Sequence, residues 1–551
     1  MRAAAIVPPM PDDWCIRRSV HRDFQGLRCE MEARPEAFKA LCRWTAETLG
    51  YAFAGLVVEQ HREEWLLRYL FHATAARALA LEARGSRPSA TEDGANGASA
   101  CGWIHVLLRQ PLAQVNFPSL SDSIHAADWH EREAEDLFGL IFEGHPSLGD
   151  FVLHDDAWQE GLAPMRKEFD GRKPPALRSP NPDWRPERIV HAPGVFAMPI
   201  GPIYSGTAES VHFMLETVGE DVIRAVPRLF YKYRAVEKIA EGRRAEDVLL
   251  LAERFNGIAA FAHGLAFVQA LEAISAMEVP ARALALRVLL AELERLRHHT
   301  GAIQEICEST ALVVAASQAA MLEEELLRLS CELTGHRYLY GLLACGGLSR
   351  DLQDAAIRSA VVRARGILER LESLEEKLVR TSSFLDRLEE VGIVTEAEAL
   401  AFGVVGPIAR ACGVARDLRI VQPYCSYADY PFEVPLEIEG DGYARLRVLF
   451  AEARQSMALI EQAFARLAQG PVRAAHVNVA AGAALGWTEA PLGAALHWLR
   501  IDARGAVVRY RVIPPSFANW HVFHRAAEAF AFQDFPIILA SFGLSVAEND
   551  R

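Results

Sequence analysis

Apolar residues recur at helical spacing over much of the chain after residue 220. In the segments 280–300 and 318–335, Ala, Leu, Glu and Arg dominate, and the apolar side chains fall at positions i, i+3, i+4 and i+7. Pro280 stands where a helix accepts a proline in its first turn. The pattern predicts a bundle of helices that carries short strands near its ends.

The N-terminal segment 1–160 shows shorter and more varied patterns. Apolar positions have helical spacing in 35–50, whereas three other segments are short, apolar and partly alternating, which is typical of strands: 51–60, 64–73 and 101–110. We expect these strands to belong to one sheet. A mixed first part followed by a helical bundle predicts an α+β chain.

Prolines crowd the segment from 161 to 202, where missing amide donors favour an extended connector. This composition predicts an N-terminal domain at 1–160, a proline-rich linker at 161–195 and a larger domain at 196–551. The segment 83–100 is rich in Gly, Ser and Ala, which is typical of an exposed loop without chemistry.

The composition argues against several classes of protein. The formal net charge of −14 makes nucleic acid an unsuitable main partner and gives no polybasic surface for lipids. The chain has no run of about 18 uncharged apolar residues, and its N-terminus lacks the apolar core of a signal peptide. We therefore expect a cytoplasmic protein that reaches a membrane only through partners.

The nine cysteines are scattered, and no two stand at C-x-x-C spacing. Zinc ribbons, iron–sulfur loops and thioredoxin-type pairs find no support. Thiolates from distant segments could still converge, but an odd number without a framework is more typical of reduced, buried thiols.

The segment 128–153 packs acids and bases ahead of a Gly and a His-Pro pair. Four of its carboxylates suit general acid/base catalysis or a hard cation: Glu131, Glu133, Glu135 and Asp136. The residues by themselves favour a charged, solvated helix followed by a turn.

The segment 292–303 places Glu292, Arg295 and His299 along one helix face. Such a face is usually an intrahelical ion-pair ladder, and the alternative is a buried Glu and Arg that orient a pocket. His298 points about 100° away from its neighbour on a helix, so we expect its side chain to be solvated.

The segment 340–352 holds the pair Gly346–Gly347 before a predicted helix, with Ser349 as its N-cap and Asp351 in its first turn. A glycine pair at a helix start can hold an anion. The Lys and spacing of a P-loop are missing, so phosphate binding is only weakly supported, and no Gly-x-Gly-x-x-Gly motif follows a strand, so nicotinamide binding is not supported.

The stretch 253–264 reads ERFNGIAAFAHG. An acid, an Arg, an Asn-Gly pair and a His interrupt an apolar, helix-prone tract. The residue types leave two interpretations open, a reactive site and a turn between two helices.

The order of the motifs carries a resemblance that no single motif carries. The run ERE-x-x-D-x-x-G-x-x-F-x-GHP-x-L at 131–148 resembles the thirty-kilodalton subunit of respiratory complex I. Later segments resemble, in order, the forty-nine-kilodalton subunit: 201–215, 228–243, 252–263, 289–299, 334–352, 406–419 and 535–551. With both modules fused, the chain is still more similar to the large subunit of membrane-bound nickel–iron hydrogenases of the formate hydrogenlyase and hydrogenase-4 type.

This resemblance implies an N-terminal α/β sandwich-like domain of the thirty-kilodalton type. It implies, after that domain, a helical bundle with small β elements of the hydrogenase large-subunit or forty-nine-kilodalton type. In nickel–iron hydrogenases, two pairs of cysteines hold the metals. The matching positions here are Asn256, Ala259, Ser545 and Glu548. Nickel and low-spin iron need soft, anionic sulfur, so the resemblance implies the fold without its metal site and without hydrogen chemistry.

In complex I a His and a Tyr are thought to bracket the quinone head group. The His position aligns here with Tyr204 and the Tyr position with Gly257. A hydroxyl at Tyr204 could still donate a hydrogen bond to a quinone carbonyl.

The resemblance implies the large subunit of a membrane-associated complex I-like or hydrogenase-4-like oxidoreductase that passes electrons toward a quinone or another acceptor. It implies a small iron–sulfur subunit with a neighbouring 4Fe-4S cluster, antiporter-like membrane subunits, no cofactor held by this chain, and a position on the cytoplasmic face of the inner membrane. The alternative is a non-catalytic scaffold or coupling subunit that keeps the fold.

The residues expected to act at the site are polar or ionisable: Tyr204, Glu253, Arg254, Asn256, His263, Glu292, Arg295, Glu548 and Asp550. Because an isolated buried carboxylate is costly, we expect Glu548 to lie within reach of Asn256 and of an arginine, either Arg254 or Arg551.

Overall fold

The computed structural model describes residues 10–23, 26–74, 101–154, 157–159, 161–173, 190–204 and 209–551. The chain forms two compact units, Met1–Arg185 and Pro186–Arg551, which divide inside the segment where prolines crowd. The expected loop at 83–100 and positions 174–189 of the expected linker lie outside the described residues.

A five-stranded sheet forms the centre of the N-terminal unit. Its strands are β1 (Cys15–Asp23), β2 (Gly26–Ala33), β3 (Tyr51–His61), β4 (Glu64–Ala73) and β5 (Trp103–Pro111). The spatial order is β1-β2-β5-β4-β3, with β2 and β5 parallel and the other neighbours antiparallel. The three strands expected from the sequence pattern are confirmed as β3, β4 and β5.

Strand β4 shows why the alternation in this sheet is only partial. It lies between β5 and β3, and every residue from Trp65 to Ala73 is buried, because both faces of the sheet are covered there. The described part of the unit also contains α1 (Phe38–Arg43) with the π-helical turn Trp44–Thr48, β6 (Asn116–Pro118), α2 (Asp128–Phe138), β7 (Ile141–Glu143) and short 3-10 turns.

Helix α2 is not the solvated helix that its charge predicted. Glu131 and Glu133 are buried. Glu131 accepts hydrogen bonds from the Ser119 hydroxyl at 2.6 Å and from the Leu120 amide at 2.8 Å. The pKa of Glu131 is raised to about 7, because burial outweighs these hydrogen bonds. Glu131 of helix α2 therefore holds the neighbouring backbone at Leu120 in place.

The C-terminal unit is mainly helical, as the apolar periodicity predicts. Its helices are α3 (Val236–Ala240), α4 (Ala245–Arg254), α5 (Ala260–Ile274), α6 (Ala281–Ser309), α7 (Val313–Thr334), α8 (Asp354–Leu378), α9 (Ser382–Leu385), α10 (Glu396–Ala401), α11 (Gly406–Ala411), α12 (Leu418–Val421), α13 (Gly442–Ala465), α14 (Pro515–Ala526), α15 (Phe535–Phe542) and α16 (Val546–Asn549). The expected helices at 280–300 and 318–335 are confirmed as α6 and α7.

Short strands accompany these helices and confirm the α+β class. They are β8 (Phe196–Ile200), β9 (His212–Val218), β10 (Asp221–Arg228), β11 (Leu343–Ala344), β12 (Gly347–Leu348), β13 (Gly482–Ala490), β14 (Gly493–Ile501), β15 (Val507–Ile513) and β16 (Glu528–Ala531). One antiparallel sheet has the order β16-β10-β9-β8, another has the order β13-β14-β15, and β11 pairs with β12.

Two local expectations in this unit are wrong. Gly346 and Gly347 lie in the β11–β12 hairpin and not before a helix, and the next helix, α8, begins after its N-cap residue Gln353. His298 is buried and not solvated, because α6 packs against both α7 and α13. No helix in the described part of the chain combines the length and the apolar character that a bilayer crossing requires.

Gly486 on β13 sets how closely helix α5 approaches the three-stranded sheet. A Cβ atom at this position would lie 1.9 Å from the carbonyl oxygen of Ala266 and 2.6 Å from the amide nitrogen of Ala270. Only glycine allows this approach. The close packing brings His263 on α5 beside His497 on β14.

Candidate functional site

The stretch 253–264 includes the turn between two helices that was one of the two interpretations of its sequence. Helix α4 ends at Arg254 and helix α5 begins at Ala260, so the stretch includes a turn between two helices. The turn also meets the last helix of the chain, α16. The side-chain amide of Asn256 donates a hydrogen bond of 2.6 Å to Oε1 of Glu548, which lies 292 residues further on.

Local backbone contacts orient both side chains. Oδ1 of Asn256 accepts a hydrogen bond of 2.6 Å from the amide of Ile258, which leaves its NH2 group to face Glu548. Ser545 is the N-cap of α16, and its hydroxyl accepts the amide hydrogen of Glu548 at 3.1 Å. Hydrogen bonds therefore join three of the four positions that align with hydrogenase cysteines, Asn256 to Glu548 and Glu548 to Ser545.

The Glu548 carboxylate is fully buried and accepts hydrogen bonds at both oxygens. Besides Asn256, Nε2 of His263 lies 3.1 Å from Oε1, and the amide of Ser516 donates to Oε2 at 3.1 Å. A buried carboxylate without partners would cost several kcal/mol. The hydrogen bonds with Asn256, His263 and Ser516 therefore offset the cost of burying the Glu548 carboxylate.

The expectation that an arginine pairs with Glu548 is wrong, because the imidazole of His263 occupies that position. Arg254 lies over the ring of Tyr340, with its Cζ atom 5.1 Å from the ring centroid. Arg551 is buried, and its Nε donates to Glu237 at 3.3 Å. The terminal arginine thus anchors the end of the chain to helix α3.

The hydrogen bonds continue beyond His263 into the three-stranded sheet. Nδ1 of His263 lies 2.9 Å from Nε2 of His497, and Nδ1 of His497 lies 2.9 Å from the hydroxyl of Tyr510. Both rings and the phenol are buried. Burial, with the neighbouring His263 and Arg551, holds the pKa of His497 well below its usual range, so its imidazole is neutral at pH 7.

Glu292 and Arg295 belong to a separate buried cluster at the middle of α6. Oε2 of Glu292 lies 3.3 Å from Nε of Arg295, as the helix spacing predicts. Glu292 also accepts hydrogen bonds from Arg419 at 3.0 Å, from Tyr427 at 2.6 Å and from Ser456 at 2.8 Å. The pair is therefore a buried junction between helices and not a surface ladder.

A second junction adjoins this one. Arg410 donates to Glu452 at 2.5 Å and to Glu489 at 2.9 Å, and Nε2 of His299 lies 2.8 Å from Glu452. Nη1 of Arg295 lies 3.9 Å from Glu452 and links the two junctions. Burial alone would raise the pKa of Glu452, but Arg410 and His299 outweigh it and hold that pKa far below its usual range.

Three further expected site residues have other contacts in the structure. Oε2 of Glu253 accepts the amide hydrogen of Gly341 at 3.1 Å, and burial raises the pKa of Glu253. Burial also raises the pKa of Asp550 to about 7. The Tyr204 hydroxyl donates to the carbonyl oxygen of Val211 at 2.8 Å. The structure brings Asn256, His263 and Glu548 together. Glu253, Asp550 and Tyr204 lie in separate environments.

Sequence patterns did not reveal His497, Tyr510 or the arginines of the two junctions. A signal for His497 exists, because a lone His stands among buried apolar residues in the short strand ALHWLRI. Tyr510 in VVRYRVI carries a weaker signal of the same kind. Arg410 and Arg419 lie in the segment 406–419, which carries part of the family resemblance, but their acidic partners stand in other segments of the chain.

The side chains at the four cysteine-equivalent positions do not fit a nickel–iron centre. They present an amide, a methyl group, a hydroxyl and a carboxylate, and the amide and the carboxylate are hydrogen-bonded to each other. Across the residues that the structure describes, no group of three or more His, Cys, Asp or Glu side chains could hold a metal ion.

Three protein-family profiles match the chain. Residues 32–175 match the 30 kDa subunit of respiratory-chain NADH dehydrogenase, and residues 313–481 and 474–551 match its 49 kDa subunit. Residues 234–301, which include the Asn256 turn, match nickel-dependent hydrogenase. The three matches follow one another along the chain in the order that the motifs predicted.

Characterised relatives point the same way. Formate hydrogenlyase subunit 5 of Escherichia coli is 32% identical over 82% of this chain and 79% of its own length. Hydrogenase-4 component G of the same organism is 30% identical over 83% and 79%. The C/D subunit of NADH-quinone oxidoreductase from Bdellovibrio bacteriovorus is 28% identical over 77% and 81%.

A solved structure shares the fold at a TM-score of 0.61 and 27% identity, covering 65% of this chain and 99% of the other. It is a chain of the membrane-bound sulfane sulfur reductase, an archaeal respiratory membrane complex.

Proposed function

This chain belongs to the family of fused 30 kDa/49 kDa-type subunits that complex I and formate hydrogenlyase-type complexes share, and on that premise we propose that it is the large subunit of a membrane-associated oxidoreductase. In this proposal it takes part in electron transfer toward a quinone or another acceptor and does no hydrogen chemistry. The Asn256–His263–Glu548 cluster takes the place of the metal centre.

One observation carries the proposal. Glu548, Asn256 and His263 are all buried at the place where a hydrogenase has thiolates, and they form a connected set of hydrogen bonds. A chain that kept only a docking role could fill that place with apolar side chains, which are usually as stable or more stable there. The retained polar cluster therefore favours a working site over the scaffold alternative.

The proposal includes partners and a place in the cell. Relatives of this chain are parts of multi-subunit membrane complexes, such as the archaeal respiratory complex named above. We propose a small iron–sulfur subunit with a 4Fe-4S cluster as the electron donor, and antiporter-like subunits as the membrane part. Through them the chain would lie on the cytoplasmic face of the inner membrane. The Tyr204 hydroxyl stays a proposed hydrogen-bond donor to a quinone carbonyl, and its hydrogen would then leave the carbonyl oxygen of Val211 that accepts it in this structure.

The test is electron transfer through the intact complex. The complex is purified with this chain as wild type or as Glu548→Gln, and the rate is measured from a reduced low-potential dye to a soluble quinone. We expect assembly and iron–sulfur content to stay unchanged and the rate to fall by about 10²-fold or more in the variant, as for loss of a general acid or base.

Glu131→Gln is the matched control, because Glu131 is also a buried carboxylate with three hydrogen-bond donors, two hydroxyls and one backbone amide, but in the N-terminal unit. It should keep the wild-type rate. An assembled wild-type complex that passes no electrons to any quinone or dye, or a Glu548→Gln variant as fast as wild type, would support the scaffold alternative.

A further inference from the structure

Two charged side chains of helix α6 contact the turn that carries Asn256, one at each end of the turn. Glu294 and Arg297 stand three residues apart, so they project from the same face of α6. Only 5% of Glu294 and 8% of Arg297 is exposed. Both side chains bind the backbone of the turn, with opposite charges.

The carboxylate of Glu294 caps helix α5. Its Oε1 accepts the amide hydrogen of Phe261 at 2.8 Å, and its Oε2 accepts that of Ala262 at 2.9 Å. The N-cap residue of α5 is Ala259, whose methyl group cannot accept these hydrogens. A negative charge is also favourable there, because the dipole of this 15-residue helix is positive at its N-terminus. Glu294 thereby fixes the first turn of α5, which includes His263.

The guanidinium of Arg297 binds the other end of the turn. Its Nη2 donates to the carbonyl oxygen of Ile258 at 2.6 Å and to that of Gly257 at 3.4 Å. Oδ1 of Asn256 accepts the amide hydrogen of the same Ile258. Arg297 and Asn256 therefore both bind Ile258, one at its carbonyl and the other at its amide. The held backbone directs the side-chain NH2 group of Asn256 toward Glu548.

Arg297 is itself held from the side of helix α7. Its Nη1 lies 3.6 Å from Glu323 of that helix, and its Cζ lies 5.6 Å from the ring centroid of Tyr338. Gly301 on α6 makes room for Glu323, since a Cβ atom there would lie 2.8 Å from the carboxylate. Glycine weakens the interior of a helix, so this position serves the packing of the ion pair. The guanidinium is therefore fixed in place.

We propose that Glu294 and Arg297 are positioning residues of the candidate site, which hold the turn 256–262 so that Asn256 and His263 meet Glu548. The inference rests on the proposed function, because it assigns both residues to the same site. In this role they act through the backbone of the turn and not on the acceptor. A Ser or Asn at the N-cap would be sufficient to start α5, whereas contacts at both ends of the turn also fix where its polar side chains point.

The first experiment reads the site in the full chain without turnover. The chain is labelled with 15N-histidine, and the signal of His263 is assigned by substitution. Glu294→Gln leaves one of the two amides without an acceptor, and Arg297→Gln removes the guanidinium at the other end. We expect both variants to move the 15N shift of Nε2 of His263, which lies 3.1 Å from Glu548. Hydrogen exchange of peptides that cover 256–263 should rise about tenfold, as for loss of one hydrogen bond to a charged group.

The second experiment measures electron transfer in the intact complex. In Glu294→Gln and in Arg297→Gln, transfer from the reduced dye to the quinone should be about tenfold slower or more, because small displacements of site residues are costly. Assembly, iron–sulfur content and reduction of the iron–sulfur cluster by the dye should be unchanged.

Asp441→Asn is the matched control. Asp441 is also a buried carboxylate that accepts two backbone amides, from Ala444 at 2.8 Å and from Glu390 at 2.9 Å, but at the start of helix α13. It should keep the wild-type His263 signal and the wild-type rate. A control variant that moves the His263 signal as far as Glu294→Gln does would show a general effect of lost stability and would overturn the proposal.

The remaining outcomes separate this inference from the proposed function. A wild-type His263 signal in both α6 variants, or a moved signal with a wild-type rate, would refute the positioning role and leave the proposed function standing. No electron transfer in the wild-type complex would refute the proposed function, while the His263 signal would still decide whether Glu294 and Arg297 position the turn.

Discussion

Glu237→Gln should destabilise the C-terminal unit strongly, because it removes one buried charge from the centre of three arginines. Glu237 lies on α3 and is fully buried. Its carboxylate lies 2.9 Å from Arg509, 3.2 Å from Arg511 and 3.3 Å from Arg551. Gln keeps the shape of the side chain, so the variant tests the charge rather than the packing.

The magnitude follows from two independent estimates. Loss of one partner from a buried ion pair costs about 3–5 kcal/mol. Burial alone would raise the pKa of Glu237, but Arg511, Arg509 and Arg551 outweigh it and lower that pKa from 4.5 to about 2. A depression of this size corresponds to roughly 3 kcal/mol of stability at pH 7. We therefore expect a loss of about 3–5 kcal/mol in the free energy of unfolding.

The pH dependence carries a sign that can be checked. Because the folded pKa lies below the unfolded one, the stabilisation is complete above about pH 5 and is lost as pH falls from about 4.5 to about 2. The difference between wild type and Glu237→Gln should therefore be constant from pH 6 to pH 8 and shrink below pH 4.5.

The assay is urea unfolding of the full chain, combined with hydrogen exchange of peptides that cover 545–551. Exchange should rise there in Glu237→Gln, because Arg551 loses the charge that anchors the end of the chain. Glu461→Gln is the control, since Glu461 forms a half-exposed pair with Arg365 that is worth about 0–1 kcal/mol. Equal stability of the two variants, with unchanged exchange at 545–551, would refute the reasoning.

Further predictions concern metal, stability and the helix junctions. The purified chain should bind no nickel, because no thiolates stand at the cysteine-equivalent positions, and about one nickel per chain by elemental analysis would contradict this. Asp550→Asn should stabilise the fold at pH 8 and much less at pH 5. Burial raises the pKa of Asp550 to about 7, so the charged form is disfavoured in the folded state. Calorimetry at both pH values measures the difference in stability between the variant and wild type. Arg419→Ala should lower stability by about 3–5 kcal/mol in urea titrations, since it leaves Glu292 and Asp417 buried without this shared partner.

Local patterns of apolar residues were sufficient to predict the main helices and strands of this fold. The apolar residues of 280–300 recur at i, i+3 and i+4, and this spacing places them on one continuous face only if the segment is a helix. The segment indeed lies in helix α6. The short alternating segments after residue 50 became strands β3 to β5 for the same reason. The Gly346–Gly347 segment failed, because a glycine pair suits a hairpin turn as well as a helix start, and only the pairing of Leu343 with Leu348 decides between them.

Charge was harder to predict than periodicity. The acids of α2 and His298 look like solvated groups in sequence, and His299 looks like part of an intrahelical ion-pair ladder, because charged side chains are rarely buried without partners. Their partners come from other segments: the amide of Leu120 for Glu131, and Glu452 for His299. Whether a charge is buried is thus decided by residues far along the chain.

The sequence by itself determined the α+β class, the order of family motifs and the loss of every cysteine ligand, because these depend on residue types and their spacing. Tertiary structure decided what replaced the ligands. It placed Asn256 in hydrogen-bond contact with Glu548, which lies 292 residues further on, and it made His263 rather than an arginine the other side-chain partner of Glu548. It also continued the hydrogen bonds from His263 through His497 to Tyr510. A hydrogen bond depends on distances of a few tenths of an ångström, which only tertiary packing fixes, as the close approach of α5 to the sheet at Gly486 shows for His263 and His497.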